Sequence, residues 1–307
     1  MKVCIITLGC KVNQYESNQI AAQYVAAGDT VITKFTPDAD LYIINTCKVT
    51  NFAEKKSRYQ VARIRRENPH AQLVVGGCAG DRNITKSLSC HALQPRKRAF
   101  IKVQDGCNNF CSYCIVPHVR GRSTSRPIPD IITEIKKANK PTVLTGIDLS
   151  DFTNLPELCK AVNACNLPFE LSSIETRIIT PGFLRVLEKC ANFTPKFHVP
   201  LQSASDKVLR DMNRKYTGEE YRKKIELIRE FFPKAIISTD VIIGFPTETE
   251  QDFMETYDFV REMNFSKVHV FPYSKRDGTQ AAKYKELQPA VISKRLEKLK
   301  TVPIDIQ

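Results

Sequence analysis

Three cysteines, Cys107, Cys111 and Cys114, stand in the stretch VQDGCNNFCSYCIVP at spacings of four and then three residues. A structural zinc site takes four ligands and a disulfide framework takes an even number of thiols. Three thiols in one short loop fit better a centre that keeps one position open. Such a loop can wrap around one corner of a cubic iron–sulfur cluster, leaving the fourth iron free for a small molecule with an amino and a carboxylate group. A zinc knuckle completed by His118 or Cys90 is the alternative.

A second trio is dispersed: Cys10 in TLGCKVNQYES, Cys47 in NTCKVT and Cys78 in GGCAG. Each follows or adjoins an apolar run, at 2–9, 41–46 and 72–77, that reads as a buried parallel strand. Thiols at the ends of three adjacent parallel strands converge on one sheet edge, so a second three-ligand centre is feasible. The bland reading is three small buried hydrophobes.

Helical patterns near 14–27 and 53–67 separate these strands, giving a small α/β unit. Residues 80–97 are polar and aperiodic and read as a linker, with a boundary near 95. The chain is therefore expected to divide into domains 1–95 and 96–307. Beyond the linker, strand patterns at 99–104, 142–147, 169–174, 196–202, 236–245 and 267–273 alternate with helical ones near 129–138, 155–164, 180–190, 205–232 (broken) and 248–263. Six strand–helix units predict an incomplete (βα)6 barrel, with a doubly wound open sheet as the alternative. In such barrels chemistry sits on loops at the C-terminal strand ends, and the three-cysteine loop follows the first strand.

The 307 residues carry a net charge of +13 and a pI near 9.2, which favours a polyanionic partner such as nucleic acid over a merely basic surface. Hydrophobic residues make up 42%, and no apolar run reaches the roughly 18–20 residues of a membrane span. The N-terminal apolar run is too short for a signal peptide. With eleven cysteines and no secretion signal, a reducing, cytoplasmic setting is expected, where such spacings point to metal or redox chemistry. Candidate phosphate contacts are RIRR at 63–66, RKR at 96–98, and Arg120, Arg122 and Arg126 after the cluster loop. There are no tryptophans, so stacking on a base would fall to Tyr, Phe or Arg.

The loop with Tyr113 beside its last cysteine resembles the cluster loop of radical S-adenosylmethionine enzymes. With TLGCKVNQYES, VPLQSASDKVLRDMNRKYT and DVIIGFPTETEQDF added, the chain resembles the methylthiotransferase family. It is most similar to the branch acting on N6-threonylcarbamoyladenosine at tRNA position 37. Sister branches act on isopentenyladenosine in tRNA or on a ribosomal-protein aspartate. A metal-cluster RNA-binding module is the non-enzyme reading, and it leaves the six βα units unexplained.

The resemblance implies an auxiliary [4Fe–4S] cluster on Cys10, Cys47 and Cys78 and a radical [4Fe–4S] cluster on Cys107, Cys111 and Cys114. S-adenosylmethionine would serve as both radical source and methyl donor, with the new C–S bond at C2 of the adenine. Tyr113, Gly146, Ser173, Glu175, Gln202, Arg214 and Gly244 are the implied cofactor contacts, with Ser203 and Pro246 beside them; Gly146 alone is equally an ordinary turn glycine. The implied partners are the tRNA anticodon stem-loop, an electron donor such as flavodoxin and a sulfur donor, for a monomeric enzyme. Two departures from the family pattern are expected to bear on tRNA affinity. The segment between Cys78 and Cys107 is short, and a C-terminal RNA-binding β-barrel has no counterpart in the sequence.

Overall fold

The computed structural model describes residues 1–81 and 96–302. Most of the proposed linker, the boundary near 95 and Cys90 lie outside the described residues.

The first unit is a four-stranded parallel sheet built from β1 (Lys2–Thr7), β2 (Thr30–Ile32), β3 (Leu41–Thr46) and β4 (Gln72–Gly77), in the order β2-β1-β3-β4. Every residue of β3 is buried, as a central strand covered on both faces requires. Helix α1 (Lys11–Ala26) covers one face, where Ile20 packs on Val3, Ile5, Leu41 and Ile43. Helix α2 (Asn51–Glu67) covers the other, where Ile64 meets Cys4, Tyr42 and Ile44. Thr50 caps α2 by accepting the Ala53 N–H at 3.1 Å.

The second unit begins with β5 (Ala99–Lys102), then a small antiparallel ribbon of β6 (Gln104–Asp105) and β7 (Thr124–Ser125) that frames the cluster loop. Strands β8 (Thr142–Thr145) and β9 (Phe169–Leu171) extend β5, while β10 (Lys196–His198), β11 (Ile236–Ile243) and β12 (Lys267–Pro272) form a second parallel sheet. Parallel bridges from Phe169 to Phe193 and from Ser173 to His198 join the two sheets into one curved six-strand run. Among the described residues β5 and β12 do not pair. Along β11 the buried Ile237, Thr239, Val241 and Ile243 alternate with the less buried Ser238, Asp240 and Ile242. The first set joins the core beneath the outer helices, and the second faces the concave side.

The first unit reaches both edges of this six-strand run. Helix α1 packs on β5, and Lys102 donates to Glu16 at 2.9 Å. At the other edge the Asn51 N–H donates to Ser274 Oγ at 2.8 Å, and Arg276 donates to Asn51 Oδ1 at 2.6 Å and pairs with Glu54.

Several elements differ from the sequence reading. The strands expected over 169–174 and 196–202 stop at Leu171 and His198, and Gln202 turns the chain at φ +67°. The helix over 205–232 is broken, as expected: the chain turns at Asn213, φ +59°, and restarts with a capping box between Thr217 and Glu220. The helix Pro289–Leu299 is additional. One of its core positions holds Arg295, buried by an ion pair to Glu248 at 2.6 Å, which interrupts its apolar pattern. No helix of the described residues is long and apolar enough to cross a membrane.

Candidate active site

The cluster loop owes its shape to backbone crowding. Gly106 has φ +74°, and a Cβ there would lie 2.1 Å from the Arg122 carbonyl oxygen, so only glycine fits. The Cys107 N–H donates to the Gly121 carbonyl at 3.1 Å, and Ser112 ties the loop middle to the Asp211 carbonyl at 2.6 Å. Burial pushes the Cys107 and Cys114 thiols both up to about 12, with Asp148 and Cys114 adding to the shift at Cys107 and Cys111 to that at Cys114. The Cys107 and Cys114 thiols therefore both lie in poorly solvated surroundings.

Gln104, which sequence reasoning missed, joins this loop to the next strand end. Its Oε1 accepts the N–H groups of Ile147 at 2.8 Å and Asp148 at 3.0 Å. Its Nε2 donates to the Gly106 carbonyl at 2.7 Å and Ser123 Oγ at 2.8 Å. Gly146 is glycine because a Cβ would lie 2.7 Å from Gln104 Oε1, which is a close-packing requirement. Asp148 and Asp151 stand beside Cys107, with ligand atoms of all three within 4.8 Å of one another, and Arg177 pairs with both carboxylates at 2.9 and 2.6 Å. No periodicity in the sequence distinguished Asp148 or Arg177.

Arg214 donates to Cys111 Sγ at 3.4 Å and to Tyr216 Oη at 3.1 Å, and pairs with Glu175. Burial raises the Glu175 carboxyl although Arg214 opposes the shift. Two expected contacts, Glu175 and Arg214, thus meet directly beside Cys111. Tyr113 packs against Val208, Met212, Phe245, Tyr273 and Ala281 under the loop. Ser173 bridges to His198, and Gln202 bridges to Val241. Ser203 is buried against Thr256 Oγ1 at 3.1 Å, so its hydroxyl serves packing. At Gly244 a Cβ would lie 2.6 Å from Ile292, so that side of the turn faces a helix, while Pro246 is half-buried. His118 sets its ring edge-on to Phe110 with centroids 6.3 Å apart.

The N-terminal trio is assembled by strand register. Thr46 on β3 pairs with Gly77 on β4, so Cys47 and Cys78 leave adjacent strands together. Cys10 caps α1, and Gly9 brings it in: φ is +100°, and a Cβ would lie 2.9 Å from Cys47 Cβ. Asn13 donates to the carbonyls of Leu8 at 2.7 Å and Thr46 at 2.8 Å, stitching the strand ends together. Burial raises Cys47 and Cys78.

Arg120, in the short helix after the cluster loop, connects the two trios. It donates to Cys78 Sγ at 3.3 Å, Asn13 Oδ1 at 2.5 Å, Glu16 Oε1 at 3.1 Å and Asp105 Oδ1 at 2.8 Å. Its side chain is 2% exposed and that of Glu16 1%, which corrects the expected role of Arg120 in phosphate contact. Arg126 is half-buried, and its guanidinium bonds Glu134 at 2.9 Å, Tyr15 Oη at 2.9 Å and the Lys102 carbonyl at 2.6 Å. Only Arg122 of the three is exposed, lying over Phe110 at 4.3 Å. On the concave face, His198 Nε2 lies 3.2 Å from Asp240 Oδ2, and the His269 ring packs beside His198 with centroids 5.8 Å apart. Sequence reasoning passed over this group because each member sits alone within an ordinary strand.

Residues 101–260 match the radical SAM superfamily, and residues 2–93 match the family described as "Uncharacterized protein family UPF0004". The chain is 36% identical to the threonylcarbamoyladenosine tRNA methylthiotransferase MtaB of Bacillus subtilis (strain 168), covering 92% of this chain and 76% of that protein. It is 30% identical to the tRNA-2-methylthio-N(6)-dimethylallyladenosine synthase of Syntrophomonas wolfei, covering 97% and 81%. Its fold is similar to that of the radical S-adenosylmethionine methyltransferase TsrM of Kitasatospora setae, with a TM-score of 0.65 at 12% identity over 88% of this chain and 72% of that one. Together these matches show that the chain belongs to the tRNA methylthiotransferase family of radical S-adenosylmethionine enzymes.

Proposed function

We propose that the chain methylthiolates C2 of N6-threonylcarbamoyladenosine at position 37 of tRNA. In this reading Cys107, Cys111 and Cys114 hold one [4Fe–4S] cluster and Cys10, Cys47 and Cys78 a second, within units 1–95 and 96–307. The observation that carries it is Arg120, which ties the helix following one trio to a sulfur of the other. A side chain from the element after one trio bonded to a thiol of the other suits a reaction that needs both in one turnover.

The residues present fit the two groups. All ten described cysteines are free thiols. Guanidinium N–H groups lie on Cys78 and Cys111, where they complement thiolate charge. Gly9 and Gly106 keep each trio's approach clear of side-chain atoms. When bound, the barrel cluster supplies the electron that splits the sulfonium of S-adenosylmethionine, and the N-terminal cluster supplies the sulfur. The protein's own part is positional. Gln104 fixes the 146–148 turn against the cluster loop, Arg214 and Glu175 present a paired charge at Cys111, and Tyr113 floors the site. Arg122 is the exposed candidate for phosphate contact near its mouth. The partners in this reading are the tRNA anticodon stem-loop, an electron donor such as flavodoxin and a sulfur donor, with the enzyme acting as a cytoplasmic monomer.

The N6-threonylcarbamoyl substrate is favoured by the higher identity to relatives named for it, 36% against 30% for the dimethylallyladenosine synthase. Mass analysis of tRNA nucleosides from a deletion strain tests it. Loss of the methylthio group from N6-threonylcarbamoyladenosine alone is expected. Loss from the isopentenyl nucleoside instead reassigns the substrate, and an unchanged tRNA profile overturns the reading.

A further inference from the structure

Helix α2 presents a row of side chains that the active site does not use. Phe52, Lys55, Lys56, Tyr59, Arg63 and Arg66 recur at i, i+3, i+4, i+7, i+11 and i+14, which places all six on one face of a helix of 3.6 residues per turn. Ser57 and Ile64, buried against the sheet, lie on the opposite face. Phe52 is 75% exposed and Tyr59 57%. Lys56 Nζ lies 5.9 Å from the Phe52 ring centroid. Toward the far end, Arg63 and Arg66 share Glu67 at 3.2 and 2.9 Å, whereas among the described residues no carboxylate pairs with Lys55 or Lys56.

Position adds to composition. The helix starts four residues after Cys47, and its first turn is clamped to the chain after β12 through Asn51, Glu54, Ser274 and Arg276. Phe52 therefore stands at the junction of the N-terminal trio's sheet edge and the barrel lip. From Phe52 to Arg66 the row runs about 21 Å away from it. A protein-binding face concentrates apolar and aromatic groups and is depleted in lysine at its core. Here each aromatic is flanked by cations, the pattern that suits single-stranded nucleic acid, with rings stacking on bases and amines on phosphates.

We propose that this face of α2 docks the anticodon arm of tRNA. Phe52 takes an unstacked loop base nearest the site, Tyr59 a second contact, and Lys55 and Lys56 the intervening phosphates. The proposal rests on the tRNA reading above and adds the direction of approach: loop at Phe52, stem toward Arg66.

The test uses cluster-loaded full-length enzyme and measures tRNA affinity across a salt series, with iron content and tRNA-independent cofactor cleavage as controls. Lys55→Ala with Lys56→Ala is expected to lower the slope of log affinity against log salt by about 2, one unit per lost phosphate contact. Phe52→Ala with Tyr59→Ala is expected to weaken binding roughly tenfold or more with the slope kept, as lost stacking does. Both controls stay at wild-type values. Wild-type affinity and slope in both variants, while the parent enzyme still methylthiolates tRNA, overturns the docking surface and leaves the function standing. A slope change with no effect of the aromatic pair overturns the stacking half. If the parent enzyme modifies no tRNA, the functional reading itself has failed.

Discussion

Cys107, Cys111 and Cys114 come from one loop of eight residues, whereas Cys10, Cys47 and Cys78 come from three loops spread over most of the first domain. The barrel trio is shaped locally, by Gly106 at φ +74° and by Gln104 bonding across the loop. The N-terminal trio has no such local frame. It exists because Thr46 pairs with Gly77, because Asn13 stitches two strand ends, and because Gly9 lets Cys10 close on Cys47. A contiguous site survives as long as its loop does. A dispersed site depends on sheet register, since a one-residue slip of β4 against β3 would part Cys78 from Cys47. The segment KVNQYES shows how much of α1 serves that end: Asn13 and Ser17 bond within the sheet unit, while Tyr15 and Glu16 reach Glu134, Lys102 and Arg120 in the barrel.

The widest separation between the two sites is expected from removing their ligands. Alanine at Cys107, Cys111 and Cys114 should lower iron from about eight to about four per chain and abolish cofactor cleavage. Alanine at Cys10, Cys47 and Cys78 should remove the same amount of iron and leave cleavage intact. Iron and acid-labile sulfide analysis after anaerobic reconstitution reads both. If either variant loses all its iron, the two sites do not assemble independently.

Next in size is the link between them. Arg120→Ala leaves Lys102 as the remaining cation for Glu16 and Asp105, so the loss is expected below the roughly 3–5 kcal/mol of a buried pair broken outright. The urea midpoint should fall accordingly, and the iron loss should fall first on the N-terminal site, whose Cys78 it contacts. An unchanged midpoint would show that the two halves do not rely on this contact.

The glycines sharpen the comparison from the backbone side. Gly9→Ala and Gly106→Ala each place a Cβ within contact distance of fixed atoms at positive φ, at a cost on the order of 1–3 kcal/mol. The first should lower only the iron held by the N-terminal trio, and the second only that of the barrel trio together with cofactor cleavage. Identical effects from both variants would erase the distinction between a local and a register-built site.

The remaining effect belongs to a group that touches neither trio. Burial outweighs the Gly244 N–H and Arg295 at Glu248 and pushes its carboxyl up to about 7, against an ordinary value of 4.5. Between those values the folded chain holds a proton that the unfolded chain has released. Stability should therefore fall as pH rises from 4.5 to about 7 and level off above it. Glu248→Gln should flatten that slope in a series of urea midpoints and leave iron content unchanged at every pH.

What could be read in advance follows from how far apart the cooperating residues lie. The spacing of Cys107, Cys111 and Cys114 and the alternation of strand and helix periods are local patterns, and both are visible in the sequence. Arg120 and Arg126 were assigned to phosphate because a run of arginines after the loop looks exposed. Their partners, Glu16, Tyr15 and Glu134, sit in other elements, and only folding brings them together. Gln104 is an unremarked polar residue at a strand end until its amide is seen bonding two separate backbone segments and the Ser123 hydroxyl. The helix at 289–299 escaped notice because a buried arginine reads as a surface residue when its carboxylate is more than forty positions away.

The most direct test is to incubate reconstituted enzyme with tRNA carrying N6-threonylcarbamoyladenosine, S-adenosylmethionine and a reductant. Both 5′-deoxyadenosine and the methylthio nucleoside are then measured, for the parent chain and for the variant lacking Cys10, Cys47 and Cys78. Both products from the parent, and 5′-deoxyadenosine without methylthio nucleoside from the variant, are predicted. Methylthio nucleoside formed by the variant at the parent's level would contradict the assignment of a sulfur-supplying site to the N-terminal trio.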